Sequence, residues 1–148
     1  EQTFAFFSKA ANLGLITPAS TRFTIQGEAP SIHEGAEINY RLCVGPLPVR
    51  WRTRIAAWKP DSSFVDSQEA GPYRLWWHEH QFEADGAVTI MEDRVYYAPR
   101  FGILGRLAHR LFIRAMLTEI FQYRRDVIHL RFGTAPASRI VVPHEEAS

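Results

Sequence analysis

The sequence predicts an α+β protein with a short N-terminal helix, a meander of six antiparallel strands and a long C-terminal helix. Residues 73–84 and 87–98 alternate apolar and polar side chains around Asp85-Gly86, a pair typical of tight hairpin turns. Residues 106–132 carry a broad apolar face at helical spacing and stop before Gly133, a good C-terminal cap. A helix of this kind is a suitable cover for one face of an antiparallel sheet.

The remaining elements follow from hydrophobic periodicity. A helix is predicted for residues 1–14, where apolar side chains recur at helical spacing. Alternation of apolar and polar residues predicts further strands at residues 22–26, 37–44, 49–58 and 63–69. Turns rich in proline and glycine separate several of them.

Composition limits the class of protein. The 148 residues predict one domain over residues 1–133, followed by a tail at 134–148. No apolar run approaches the roughly 20 residues of a membrane span. The N-terminal residues lack a signal-peptide pattern, and the single cysteine, Cys43, excludes an internal disulfide, so we expect a cytoplasmic protein. A net charge of +1 gives no general attraction to nucleic acid.

Arginines supply most of the positive charge, and they form two one-sided stripes. One stripe lies on the predicted third strand and the other on the long helix; the members are Arg50, Arg52, Arg54, Arg106, Arg110 and Arg114. Each stripe is interpreted either as a solvated outer face or as a patch for an anionic ligand or lipid surface.

The predicted hairpin carries polar groups on a face that should be buried. Trp76, His78, His80 and Phe82 share one face of the first strand, and Asp93 belongs to the comparable face of the second. The two histidines with Asp93 or Asp66 have the composition of a zinc or non-haem iron site, but the pattern is too short to predict a metal or another cofactor. The alternatives are a satisfied hydrogen-bond network, ligand recognition, or acid–base chemistry by a histidine beside a carboxylate.

Aromatic and sulfur-containing side chains on predicted inward faces are either core or the lining of a small-molecule cavity. They are Tyr40, Trp51, Trp76, Met91, Tyr97 and Phe121. Asp66 and Gln68 are weaker ligand candidates because the facing of their strand is ambiguous. Tyr123 and Arg124 lie on the long helix, where solvated positions are favoured; the alternative is that one of them points toward the cavity. The sequence contains no nucleophile elbow, phosphate-binding loop or dinucleotide fingerprint.

The order of elements and several segments resemble the START-like superfamily, also called SRPBCC. It includes Bet v 1 allergens, polyketide cyclase/dehydrase-type proteins and a bacterial branch of ligand-binding proteins. The matching segments are residues 3–8 (TFAFFS), 49–54 (VRWRTR), 64–82 (FVDSQEAGPYRLWWHEHQF), 101–109 (FGILGRLAH), 120–125 (IFQYRR) and 131–133 (RFG). The resemblance implies a helix-grip fold, in which a curved antiparallel sheet wraps around the C-terminal helix and leaves a cavity.

One departure from that family concerns the edge of the sheet. The family begins with a strand before the first helix, whereas this chain begins almost inside the helix. Residues 139–142, with the β-branched run Ile140-Val141-Val142, are predicted to fill the place of that strand, within this chain or in a neighbouring one.

Three functions follow as hypotheses. The first is binding of a small hydrophobic or aromatic molecule in an internal cavity. The second is a polyketide cyclase or dehydratase activity, with His78, His80 and Asp93 as the catalytic group. The third is an interaction module or domain-swapped homodimer formed through the tail strand.

Overall fold

The computed structural model describes residues 2–44, 46–100, 113–133 and 139–141. Within them the helices are α1 (Gln2–Phe7) and α2 (Arg114–Phe132), with 3-10 turns at Ala10–Ile16 and Ala19–Thr21. The strands are β1 (Thr24–Ile25), β2 (Glu37–Val44), β3 (Leu47–Lys59), β4 (Ser63–Ala70), β5 (Tyr73–Asp85), β6 (Val88–Pro99) and β7 (Arg139–Val141). The predicted α+β class is confirmed.

In these residues the strands form one sheet in chain order, β1 to β7. Strands β1 to β6 are antiparallel to their neighbours, as predicted, and β7 joins the edge beside β6 in parallel orientation. The β5–β6 turn lies one residue later than predicted, because Asp85 pairs with Val88 and leaves Gly86-Ala87 as the loop. Gly86 has φ +58°, so a glycine at the first loop position meets the conformational demand of the turn. The shift in pairing leaves the predicted faces unchanged.

Two predicted elements are shorter than expected. Helix α1 ends at Phe7, and a 3-10 turn follows from Ala10, so the single helix predicted for residues 1–14 is wrong. The Ser8 hydroxyl donates to the Phe4 carbonyl at 2.8 Å, and the Asn12 amide donates to the Phe6 carbonyl at 2.7 Å. The Phe4 carbonyl also accepts the helical bond from the Ser8 N–H at 2.9 Å. The Asn12 side chain, in contrast, satisfies a carbonyl that continuation of the helix would otherwise use. Strand β1 excludes Arg22, whose φ of +49° is left-handed rather than extended.

The core lies between the sheet and the N-terminal segment. Phe4 makes edge-on ring contacts with Phe64 and Phe82, at centroid distances of 6.2 and 5.2 Å. The predicted core residues Phe82 and Leu117 are buried. Leu107 and Leu111, together with the predicted loop at 101–105 and the predicted first turns of the long helix, lie outside the described residues.

The arginine stripe of β3 is exposed to solvent. Arg50, Arg52 and Arg54 all face outward, and Arg52 Nε donates to Asn39 Oδ1 at 3.2 Å. Arg114 is also exposed, whereas Arg106 and Arg110 lie outside the described residues. Neither α1 nor α2 is long and apolar enough to cross a bilayer.

The tail pairs with the sheet of its own chain. Arg139, Ile140 and Val141 are in register with Glu92, Asp93 and Arg94 of β6. Three residues of the tail therefore pair with β6, and Val142 lies outside the described residues. The equivalence of β7 to the first strand of START-like proteins stays a prediction.

Removal of residues 134–148 is expected to promote self-association, because it leaves the backbone N–H and C=O groups of the β6 edge unpaired. Size-exclusion chromatography over a range of concentrations measures this effect. The full-length variant Ile140→Pro is the matched test, since proline removes a ladder donor without shortening the chain. Elution of the truncated protein, the variant and the parent at one volume and all concentrations would contradict a protective role for β7.

Candidate functional site

Three adjacent strands bring together four ionisable side chains, which we call the His–Asp cluster: Asp66, His78, His80 and Asp93. Asp66 on β4 is the cross-strand partner of His78 on β5, and His80 is the partner of Asp93 on β6. Side chains of cross-strand partners lie on the same face of a sheet, and residues two apart share that face. Pairing alone therefore places all four on the inner face, where both histidines and Asp93 are buried.

Each imidazole of the cluster contacts both carboxylates. His78 Nε2 is hydrogen-bonded to Asp93 Oδ1 at 3.2 Å, and His80 Nε2 is hydrogen-bonded to Asp66 Oδ2 at 2.8 Å. The other nitrogens make close ionic contacts that are not aligned as hydrogen bonds. These join His78 Nδ1 to Asp66 Oδ2 at 3.2 Å and His80 Nδ1 to Asp93 Oδ1 at 2.7 Å. All four ring nitrogens thus already face a carboxylate.

The close contacts shift proton affinities in opposite directions. Burial disfavours the imidazolium of His78, but the charges and hydrogen bonds of Asp66 and Asp93 outweigh burial and raise the pKa of His78 to about 8. Burial also disfavours the two carboxylates, yet their contacts with the histidines hold the pKa of Asp66 and that of Asp93 well below the usual range. Asp66, Asp93 and His78 are therefore charged near neutral pH.

Aromatic side chains fix the orientation of the imidazoles. The Phe64 ring stacks on His80 with a centroid distance of 4.2 Å and an interplanar angle of 22°. Phe121 of α2 meets His78 edge-on at 5.6 Å. The indole N–H of Trp76 donates to Asp66 Oδ1 at 3.4 Å. These contacts brace one face or edge of each imidazole and one oxygen of Asp66, and they limit rotation of the histidines away from the carboxylates.

Asp66, His78 and His80 also offer three ligand atoms that all lie within 4.8 Å of one another, a spacing compatible with a metal ion. The same atoms are engaged with each other in the described structure, so an ion would have to displace the His80–Asp66 hydrogen bond. The guanidinium of Arg124, whose Nη1 lies 3.7 Å from Asp93 Oδ2, places a positive charge beside the site and opposes a second cation. The geometry favours the hydrogen-bonded network.

Arg124 is largely buried, although the sequence favoured a solvated position for it on the long helix. Its side chain is 13% exposed rather than solvated, and its guanidinium lies 5.2 Å above the ring of Phe121. Tyr123 is 40% exposed, as predicted. Leu117, Phe121 and Arg124 are separated by four and three residues and therefore share one helix face. This spacing was the available signal for an inward Arg124.

A cavity of about 130 Å³ lies between the inner face of the sheet and α2. Seven of the predicted site residues line it: Tyr40, Trp51, Asp66, Trp76, His78, His80 and Phe121. Arg124 lines it as well, and Leu117 and Ile120 of α2 contribute apolar wall. A second and larger space of about 490 Å³ lies beside it toward the end of the β5–β6 hairpin, and Phe121 and Arg124 border both.

The other ligand candidates have different surroundings. Gln68 braces the β4–β5 connection, because its amide donates to the Tyr73 carbonyl at 2.8 Å and accepts from the Tyr73 N–H at 3.2 Å. Tyr97 packs against the rings of Tyr73 and Trp76. Met91 and Asp93 border the larger space. Gln68, Tyr97 and Met91 therefore lie outside the lining of the smaller cavity, and their part in ligand binding stays a prediction.

No family model, curated protein or solved structure matches this chain. The site is consequently interpreted from its own contacts.

Proposed function

We propose that this protein binds a small hydrophobic or aromatic molecule in the cavity between the sheet and α2. The observation that carries the proposal is the composition of the cavity wall. Tyr40, Trp51, Trp76 and Phe121 supply aromatic surface. Three members of the His–Asp cluster (Asp66, His78 and His80), together with Arg124, supply a polar end. Small-molecule sites combine a mostly apolar lining with a few placed polar groups in this way.

The size of the cavity limits the ligand. An engineered cavity of about 150 Å³ in another protein binds benzene, and the cavity here measures about 130 Å³. The volume therefore suits a single ring or a branched aliphatic group of similar bulk. A fused multi-ring polyketide is too large for this space as it stands.

The resemblance to START-like proteins supports the same proposal. A helix-grip arrangement, with a curved sheet wrapped around the C-terminal helix, leaves a cavity where this one lies. The segments that carry the resemblance contribute to its wall. Residues 49–54 supply Trp51, residues 64–82 supply Asp66 and Trp76, and residues 120–125 supply Phe121 and Arg124.

Acid–base catalysis of the cyclase or dehydratase type has weaker support. A general acid or base must come within hydrogen-bonding reach of its substrate. Both nitrogens of His78 and both of His80 face carboxylate oxygens at 2.7 to 3.2 Å, which leaves no nitrogen for a ligand. In this geometry the two histidines form part of the cavity wall, and their ring nitrogens contact carboxylates instead of a ligand. Binding is thus the better-supported function.

A domain-swapped homodimer also has weaker support, since β7 pairs with β6 of its own chain.

Native mass spectrometry of freshly purified protein, repeated after incubation with acetophenone, tests the proposed function. We expect a protein peak with the added mass of one small molecule. Ile120→Trp should abolish that peak, because Ile120 lines the cavity and the larger side chain fills it. Leu130→Trp is the matched control on the same helix, since Leu130 is 89% exposed and its replacement should leave the peak intact.

The proposal fails if the parent protein carries no added mass in either preparation, or if Ile120→Trp retains it while circular dichroism shows a native fold.

A further inference from the structure

The buried donors of the cavity wall are incompletely satisfied. Among the described residues, four buried side-chain nitrogens lack a hydrogen-bond partner: Trp51 Nε1, His80 Nδ1, Arg124 Nε and Arg124 Nη1. His80 Nδ1 is 2.7 Å from an Asp93 oxygen and is compensated by that charge. The indole of Trp51 and the guanidinium of Arg124 are therefore the two buried groups in the described residues whose N–H donors remain unpaired. Both groups only donate hydrogen bonds, and a buried donor without a partner is costly, most of all when it is charged.

The acceptors of the wall are already engaged. Asp66 accepts hydrogen bonds from His80 and Trp76, and Asp93 accepts one from His78. The hydroxyls of Tyr40 and Thr53 are bonded to each other at 3.1 Å. Arg124 Nη1 lies 3.7 Å from Asp93 Oδ2, which is beyond hydrogen-bonding distance. The groups of the wall that remain available to a ligand are therefore hydrogen-bond donors.

The position of Arg124 adds a geometric constraint. Arg124 lines both the smaller cavity and the larger neighbouring space, and its guanidinium lies above the ring of Phe121. A group on a ligand that reaches Arg124 therefore lies where the two spaces meet. The apolar body of that ligand remains among the aromatic side chains of the smaller cavity.

From these unmatched donors we infer that the ligand is a single-ring compound bearing an acceptor oxygen, either a carbonyl or a carboxylate. Arg124 holds this oxygen, and the indole N–H of Trp51 is the second donor available to it. The inference rests on the proposed function, because it names the chemical class of the molecule in the same cavity. It assigns Arg124 as the residue that determines specificity, with the His–Asp cluster fixing the wall behind it.

Isothermal titration calorimetry with three single-ring probes tests the inference. Acetophenone carries a neutral acceptor, benzoate an anionic one, and toluene none. We expect acetophenone or benzoate to bind at least about 10-fold more tightly than toluene. One hydrogen bond to a charged donor is strong enough to produce a difference in affinity of this size. Arg124→Met should remove that preference and leave toluene binding within about threefold, because the methionine side chain keeps apolar bulk at the wall.

Two further variants separate specificity from folding. Arg114→Met removes an exposed arginine from the same helix and should keep the preference for acceptor-bearing probes. Trp51→Phe retains an aromatic ring but lacks the indole N–H, and it should weaken acetophenone binding more than toluene binding.

The outcomes distinguish the inference from the proposed function. Equal binding of all three probes by the parent protein overturns the inference and leaves a purely apolar cavity. A preference that persists in Arg124→Met overturns the inference as well, because another group would then hold the acceptor oxygen. Absence of binding by every probe overturns both.

Discussion

Replacing Asp93 by alanine is expected to lower the free energy of unfolding by about 3–5 kcal/mol, the largest effect of any single substitution in the cluster. The Asp93 carboxylate is 5% exposed and contacts His78, His80 and Arg124. Its loss leaves positive charge and N–H groups buried without their counter-charge. A protein of this size has about 5–15 kcal/mol of stability in total, so the change is readily measured by urea denaturation.

Two variants bracket this prediction. Asp93→Asn keeps the volume and one acceptor oxygen, so it should be destabilised less than Asp93→Ala and remain folded for measurement. Asp126→Ala removes a carboxylate that is 66% exposed and should change stability by no more than about 0.5 kcal/mol. If Asp93→Ala and Asp126→Ala have the same unfolding midpoint, the His–Asp cluster is not an interdependent network.

Stability should also fall as pH rises through the titration range of His78. Its pKa is raised from 6.5 to about 8, because Asp66 and Asp93 outweigh the opposing effect of burial. A raised pKa in the folded state means that the stabilising contribution is fully present below about pH 6.5 and is lost as pH rises through about 8. The shift corresponds to about 2 kcal/mol. Urea denaturation at intervals from about pH 6 to about pH 9 measures this loss.

Two histidine variants test whether the pH dependence of stability arises from His78. His78→Gln removes the titrating imidazole, so its stability should vary less with pH over this range than that of the parent. His33 is exposed, and its side chain bonds only the nearby Ser31 carbonyl among the described residues. His33→Gln should therefore retain the dependence of the parent protein. A parent whose stability is constant or rises from pH 6.5 to 8 contradicts the raised pKa.

Much of the site could be predicted because strand geometry is periodic. Alternation alone places His78, His80 and Asp93 on one face, and the shift of the β5–β6 turn does not alter that face because side chains repeat every two residues. The facing of Asp66 was ambiguous in sequence. Pairing of Asp66 with His78 across β4 and β5 resolves it.

The remaining features depend on tertiary contacts that have no local pattern. Arg124 lies beside Tyr123 and Arg125, which are exposed, so its sequence neighbours favour a solvated side chain. Its spacing from Leu117 and Phe121, in contrast, places it on the buried face of the helix. The Gln68 amide bonds the backbone of Tyr73, and this contact exists only because the β4–β5 connection brings Tyr73 back beside Gln68. Cavity volume reflects how side chains from β3, β4, β5 and α2 meet, and no segment of sequence encodes it alone.

The most direct test of the central claim is a crystal structure of the protein bound to 4-bromoacetophenone, with the bromine located by anomalous scattering. We expect the ring to lie among Trp51, Trp76 and Phe121, and the carbonyl oxygen to lie within hydrogen-bonding distance of Arg124. Bromine density only on the outer surface, with the space between the sheet and α2 filled by the protein's own side chains, would contradict it.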